Sequence, residues 1–216
     1  MPEKPYIFNS VDEAIEKLIA YDFQFVTPFN EFNKTDIIAK SVRSNIFRAL
    51  SINENKPSLI YRAWASKSFE SLFYELETVT KSTQYDNILY FYSQQFIEYW
   101  AENVGNKSER IGYGPAIKMV NLLIKTMQES SAYQQNKLYK FMHIPFDYFT
   151  LLPLKNIIND ISNESFKITI PKNPSMAYIT NKELYVIFTN SLFYLCKKAK
   201  IKPIIYDYWA WNNTHN

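Results

Sequence analysis

Apolar residues recur at three- and four-residue intervals along almost the whole chain, which is the spacing of one face of an α-helix. Ala14, Ile15, Leu18 and Ile19 form the first such face, and Ser10 with Glu13 reads as the capping box that starts it. The pattern predicts a second helix over 35–50, with Ile38, Val42 and Ile46 on one side, and a third over 59–80. A fourth starts near Asp86 and carries Leu89, Phe96 and Trp100. Pro115, directly after Gly114, suits the first position of a fifth helix, whose apolar face is Ile117, Val120, Ile124 and Met127. Another starts near Asp147 or Pro153. A long one follows Asn181 with Leu184, Phe188, Ser191 and Leu195, and a short one follows Pro203. The stretch 163–180 departs from this pattern. Phe166 to Ile170 alternates, then Pro171 and Pro174 interrupt, which predicts an extended connection able to hold a short strand. The expected class is all-α, without internal repeats or flexible linkers.

Composition narrows the function classes. At 216 residues the chain is expected to form one domain or two joined subdomains. It contains no run of about 18 apolar residues, so no membrane-spanning helix and no membrane partner are expected. The first ten residues hold no apolar core of signal-peptide length, which points to a cytoplasmic protein, nucleoid-associated in a prokaryote. A single cysteine, Cys196, excludes an internal disulfide and a multi-cysteine zinc site. Two histidines, His143 and His215, exclude a histidine-rich metal centre. Glycine is scarce. About 7% usage would give about 15 in a chain of this length, and there are 3, all within ten residues: Gly105, Gly112 and Gly114. A sharp backbone bend is expected there.

Charge collects around the same glycines. Residues 105–140 hold Lys107, Arg110, Lys118, Lys125, Lys137 and Lys140 against Glu109 and Glu129, a net +4, which leaves −1 for the other 180 residues of a chain whose total is +3. Lys197, Lys198, Lys200 and Lys202 form a second basic group. Such concentrations fit a polyanion partner, or a solvated helix face.

Three stretches carry candidate chemistry. In the first, Arg110 to Lys118, Gly112 and Gly114 flank one residue ahead of a helix. Bare backbone there lets N–H groups approach a phosphate, and the helix N-terminus favours an anion. Lys118 falls in the first turn of that helix and shares a face with Asn121 and Lys125. The face is either a solvated stripe or the seat of a nucleophilic amine of the Schiff-base kind. In the second stretch, His143 to Asp147, Pro145 extends the approach and Asp147 stands at a helix start, as a plain N-cap or as a carboxylate aimed at a reaction centre. In the third, Asp207 and Trp211 are four apart and share a helix face. A carboxylate beside an indole suits a flat ligand with N–H donors, such as a flipped base; the other reading is a cap and a core tryptophan.

Taken in order, these stretches resemble a helix-hairpin-helix DNA glycosylase, and most closely the archaeal GO glycosylase family of 8-oxoguanine N-glycosylase/DNA lyases. Ser93-Gln-Gln-Phe-Ile-Glu-Tyr-Trp100 resembles that family's Ser-Tyr-Gln…Glu-x-Tyr-Trp segment. Pro115-Ala-Ile-Lys118, continuing to Lys125, resembles its catalytic-lysine helix. Ile144-Pro-Phe-Asp147 resembles its aspartate motif, and Ile201 to Trp211 resembles its ending, where an Asp-x-x-x-Trp pair lines the base pocket. In the wider superfamily the lysine stands where this chain has Ala116, and the archaeal family has an aromatic residue where this chain has Leu122. The matches span roughly 93–211.

The resemblance implies a two-lobed all-α fold acting on double-stranded DNA as a monomer, without metal or organic cofactor. It implies Lys118 as the nucleophile and Asp147 as its partner in catalysis. Trp100, Asp207 and Trp211 would line the base pocket, and Gly112, Gly114 and Lys125 would contact the DNA backbone. 8-Oxoguanine is the base it suggests. Two other readings stand beside it: a non-catalytic helix-hairpin-helix DNA-binding module, and a helical protein-interaction domain.

Overall fold

The computed structural model describes residues 6–23, 33–43, 46–47, 50, 56–104, 110–130, 137–162 and 164–213. Gly105, Lys107, Glu109 and His215 lie outside the described residues. Within them the protein is all-α, with nine bounded α-helices, a helical pair at 46–47 and no strand, and no helix is long and apolar enough to cross a membrane. The chain divides into two compact units. One is Val26–Met142; the other joins Met1–Phe25 to His143–Asn216.

In the unit Val26–Met142, α2 (Lys34–Ser41) is capped by Asn33, whose side chain accepts from the amides of Thr35 and Asp36. It stops at Ser41, well short of the predicted 35–50, because the buried Val42 is extended. A β-branched residue holds that conformation readily. Helix α3 (Pro57–Glu77) opens on a proline, whose missing N–H costs nothing in a first turn. Helix α4 (Ser82–Asn103) starts one turn before the predicted Asp86, because Gln84 Oε1 reaches back to the amides of Thr80 and Lys81. The core between α3 and α4 is aromatic. Trp64 and Phe96 lie 4.6 Å apart, with Tyr61 and Trp100 edge-on to Phe96. Its polar atoms are paired: Trp64 Nε1 and Ser68 Oγ both donate to Gln95 Oε1, and the Ser41 and Tyr61 hydroxyls share a hydrogen bond of 2.7 Å.

Helix α5 (Tyr113–Glu129) packs against both α2 and α4. Every residue from Gly114 to Asn121 is buried, so α5 is covered on all sides, as a helix at the centre of a bundle is. The sharp bend expected at its glycines is absent. Gly112 is extended (φ −74, ψ 164) and caps the helix, and Tyr113 and Gly114 are already helical. Pro115 is therefore the third helical residue and not the first. The substitution of one position for the other is physically cheap, since none of the first-turn N–H groups has an intrahelical acceptor.

In the other unit, α1 (Val11–Ile19) is capped by Ser10 Oγ, which accepts from the Glu13 amide. The Glu13 carboxylate closes the box one residue early, on the Asn9 amide, and also takes the Tyr6 hydroxyl. Asp147 caps α6 (Tyr148–Leu151), which runs into a 3₁₀ turn at Leu152–Leu154. Helix α7 (Ile158–Ile161) and the long α8 (Lys182–Lys198) follow, α8 capped by Asn181. Helix α9 (Pro203–Asn212) starts on its proline. The N-terminal segment belongs to this unit by direct contact: the Phe8 amide donates to the Pro153 carbonyl, and the Phe8 ring stacks on Trp209 at 4.7 Å.

The segment 164–180 forms no strand and holds a 3₁₀ turn at Met176–Tyr178. From Lys167 to Ile170 it alternates as a strand would, burying Ile168 and Ile170 and exposing Lys167 and Thr169, whereas Phe166, on the face of the two isoleucines, is exposed. The Asn159 side-chain amide takes the place of a partner strand. It donates to the Ile168 carbonyl at 2.9 Å and accepts from the Ile168 amide at 2.7 Å.

Candidate functional site

The Lys118 face of α5 is not a solvated stripe. Lys118 is 7% exposed, Asn121 1% and Gln128 1%, and Lys125 is half-buried with its ammonium 3.9 Å from Glu129. Residues 118, 121, 125 and 128 follow one another at three- and four-residue steps, so a buried polar ridge runs along the helix. Lysine is almost never buried without a partner, and a ridge of this kind stands out within an apolar bundle. Gln128 belongs to it although the sequence reading passed over it; the three-then-four spacing was the available signal. Because α5 begins at Tyr113, Lys118 sits in its second turn.

The start of α5 has the properties of an anion-binding terminus. Gly112 offers no side-chain cap, and no acidic residue stands in the first turn to neutralise the positive helix end. Gly112 and the preceding Arg110 are exposed. Neither conformation nor internal packing demands glycine at 112. Its φ of −74 suits any residue, and an added Cβ would meet only Pro115 Cδ, at an ordinary 3.6 Å.

Trp100 lies on α4 in the same unit, 1% exposed and edge-on to Phe96.

Asp147, Asp207 and Trp211 lie in the other unit. Asp147 Oδ1 accepts from the amides of Phe149 (2.9 Å) and Thr150 (3.2 Å), and Thr150 Oγ1 accepts from the Asp147 amide (2.8 Å). Phe149 packs against the half-buried Trp211 at 4.8 Å. Asp207, one turn before Trp211, is 0% exposed. Between the two aspartates stands Tyr206, whose hydroxyl donates to the Thr150 carbonyl at 2.8 Å. Burial holds the Tyr206 phenol well above its ordinary pKa, reinforced by Cys196, Asp207 and Asp147. Phe149, Thr150 and Tyr206 thus tie α6 to α9 around the two carboxylates. Of the three residues assigned to the base, Trp100 and Asp207 are closed to solvent and Trp211 retains exposed surface.

Other reactive side chains have structural roles. The buried His143 ring shares a hydrogen bond of 3.1 Å with the Tyr185 hydroxyl. Burial pushes the Cys196 thiol up to about 12, which leaves it unreactive. The second basic group clusters at the end of α8, where unpaired carbonyls favour cations. There Lys200 takes the left-handed conformation (φ 57) that closes the helix, and the Ile201 amide returns to the Cys196 carbonyl.

No protein-family model, curated protein or solved structure matches this chain.

Proposed function

We propose that the chain is a DNA N-glycosylase with AP-lyase activity, acting through a Schiff base on Lys118. One observation carries the proposal: a lysine buried to 7% exposure lies on the central helix, just beyond a glycine-capped, acid-free N-terminus. The terminus suits a phosphate of the DNA backbone at the exposed Gly112, whereas Gly114 is buried and Lys125 lies three turns further along α5. The amine attacks C1′ and the glycosidic bond breaks, so that the base departs with its electron pair. Opening of the sugar ring gives the protonated imine, and elimination then breaks the 3′ C–O bond. Asp147 serves proton transfer and the developing positive charge. Trp211 supplies the stacking surface for the extruded base and Asp207 the acceptor, with 8-oxoguanine as the first base to try.

The closure of Trp100 and Asp207 favours a second reading, a DNA-binding module that uses the same helix terminus without catalysis. A panel of duplexes, each carrying one oxidised, deaminated or alkylated base, separates the two. Strand cleavage at one lesion class supports the enzyme. Salt-dependent binding without cleavage supports the module, and neither binding nor cleavage supports a protein-interaction domain.

A further inference from the structure

A cavity of about 230 Å³ opens beside α8 in the unit that includes His143–Asn216, lined by Asp160 and Ile161 of α7, Ser162 and Glu164 beyond it, and Ile187, Asn190, Ser191 and Tyr194 of α8. Its chemistry is distinct from that of the proposed DNA site. Two carboxylates, both exposed, stand at its mouth, and neither forms an ion pair among the described residues. Ile161 and Ile187 supply apolar wall, and Tyr194 is a 46% exposed aromatic. Lys198, outside the lining, places its ammonium 5.5 Å from the centre of the Tyr194 ring. Counting it, the mouth keeps more negative than positive charge.

The wall carries a second signal, independent of the carboxylates. Ser191 is 3% exposed and lines the cavity, yet its hydroxyl makes no hydrogen bond among the described residues. A helical serine ordinarily bonds back to the carbonyl four residues earlier, as Ser93 does to Leu89 at 2.7 Å. The Ser191 oxygen is not sealed off from solvent as the Thr189 hydroxyl is, so an otherwise buried serine presents an unpaired hydroxyl to open space, where a ligand can take it. Asn190, beside it on the rim, likewise keeps its amide for an incoming group.

We propose that this cavity binds a small organic cation, a guanidinium or ammonium group on a short apolar stem. The carboxylates take the charge, and Ser191 and Asn190 take the N–H or O–H groups. The isoleucines and Tyr194 cover the stem. The volume lies below the roughly 300–1,000 Å³ of drug-sized pockets, which limits the ligand to a small one. The acidic mouth repels phosphates, so the site does not depend on the DNA reading and stands or falls without it.

Titration of the full-length chain with agmatine, followed by calorimetry and by amide chemical shifts, tests the proposal. Saturable binding is expected, with shifts confined to 160–164 and 187–194. Asp160→Asn and Glu164→Gln should each weaken it by about tenfold, as loss of a charge-assisted hydrogen bond does. Ser191→Ala should weaken it by about fivefold with an unchanged circular dichroism spectrum. Pentanol, which has the stem without the charge, should not bind. Absence of saturable agmatine binding at about 10 mM, ten times a weak Kd of about 1 mM, overturns the proposal. So does agmatine binding by both carboxylate variants as tight as by the parent chain, or binding of a blocked Gly-Arg-Gly peptide when agmatine fails.

Discussion

At Asp147 one carboxylate caps α6 and is also assigned to proton transfer, and a single substitution separates the two duties. Asparagine caps a helix about as well as aspartate but carries no charge. Asp147→Asn is therefore expected to change unfolding free energy by less than about 0.5 kcal/mol and to lower turnover on the lesion substrate at least about a hundredfold. Denaturant titration beside single-turnover cleavage measures both, and a variant as active as the parent returns Asp147 to a capping role alone. Thr189 presents a simpler case. Its hydroxyl is buried on α8 without a hydrogen-bond partner, and valine has the same shape without the polar atom. Thr189→Val should stabilise the protein by about 1 kcal/mol, read as a rise in thermal midpoint of about 2–4 °C. A fall in the midpoint would mean that the hydroxyl has a role in the fold.

Helix α5 shows what an element's own sequence can and cannot reveal. Caps are local, so Ser10, Asn181 and the proline at 203 announced their helices correctly. The start of α4 is not legible because its signal is a glutamine at the third helical position, reaching outward behind an N-cap that is a lysine and not a serine or threonine. The stretch 166–170 has the alternation of a strand, but a strand needs a partner, and Asn159 fills that place from elsewhere in the chain. Burial of the Lys118 face is equally non-local: the spacing put Lys118, Asn121 and Lys125 together, whereas only the packing of α2 and α4 on α5 decides that this face is covered. Gly112 tests the proposed duty of the element's start. Alanine fits its conformation and its surroundings. Gly112→Ala should therefore cost no more than about 1 kcal/mol of stability, the range of an N-cap change. It should nonetheless weaken duplex binding severalfold, because the added methyl stands where a phosphate would approach. Unaltered affinity in a fluorescence-anisotropy titration would remove Gly112 from the interface.

For the molecule as a whole, residues 105–140 carry a net +4 within a chain of net +3, and attraction for a polyanion is expected to concentrate in that segment. Affinity for undamaged duplex should fall with salt by about 0.9 log unit per log unit of salt for each phosphate neutralised. A slope near zero would contradict contact with the DNA backbone. The central claim of the proposed function is a covalent bond to one named atom, Lys118 Nζ. Borohydride reduction during reaction with the cleaved lesion duplex measures that claim most directly. The account predicts a protein–DNA adduct that resists denaturation, carries the modification on Lys118 Nζ by peptide mass spectrometry and disappears in Lys118→Gln. An adduct formed undiminished by Lys118→Gln, or mapped to Lys125, would contradict it.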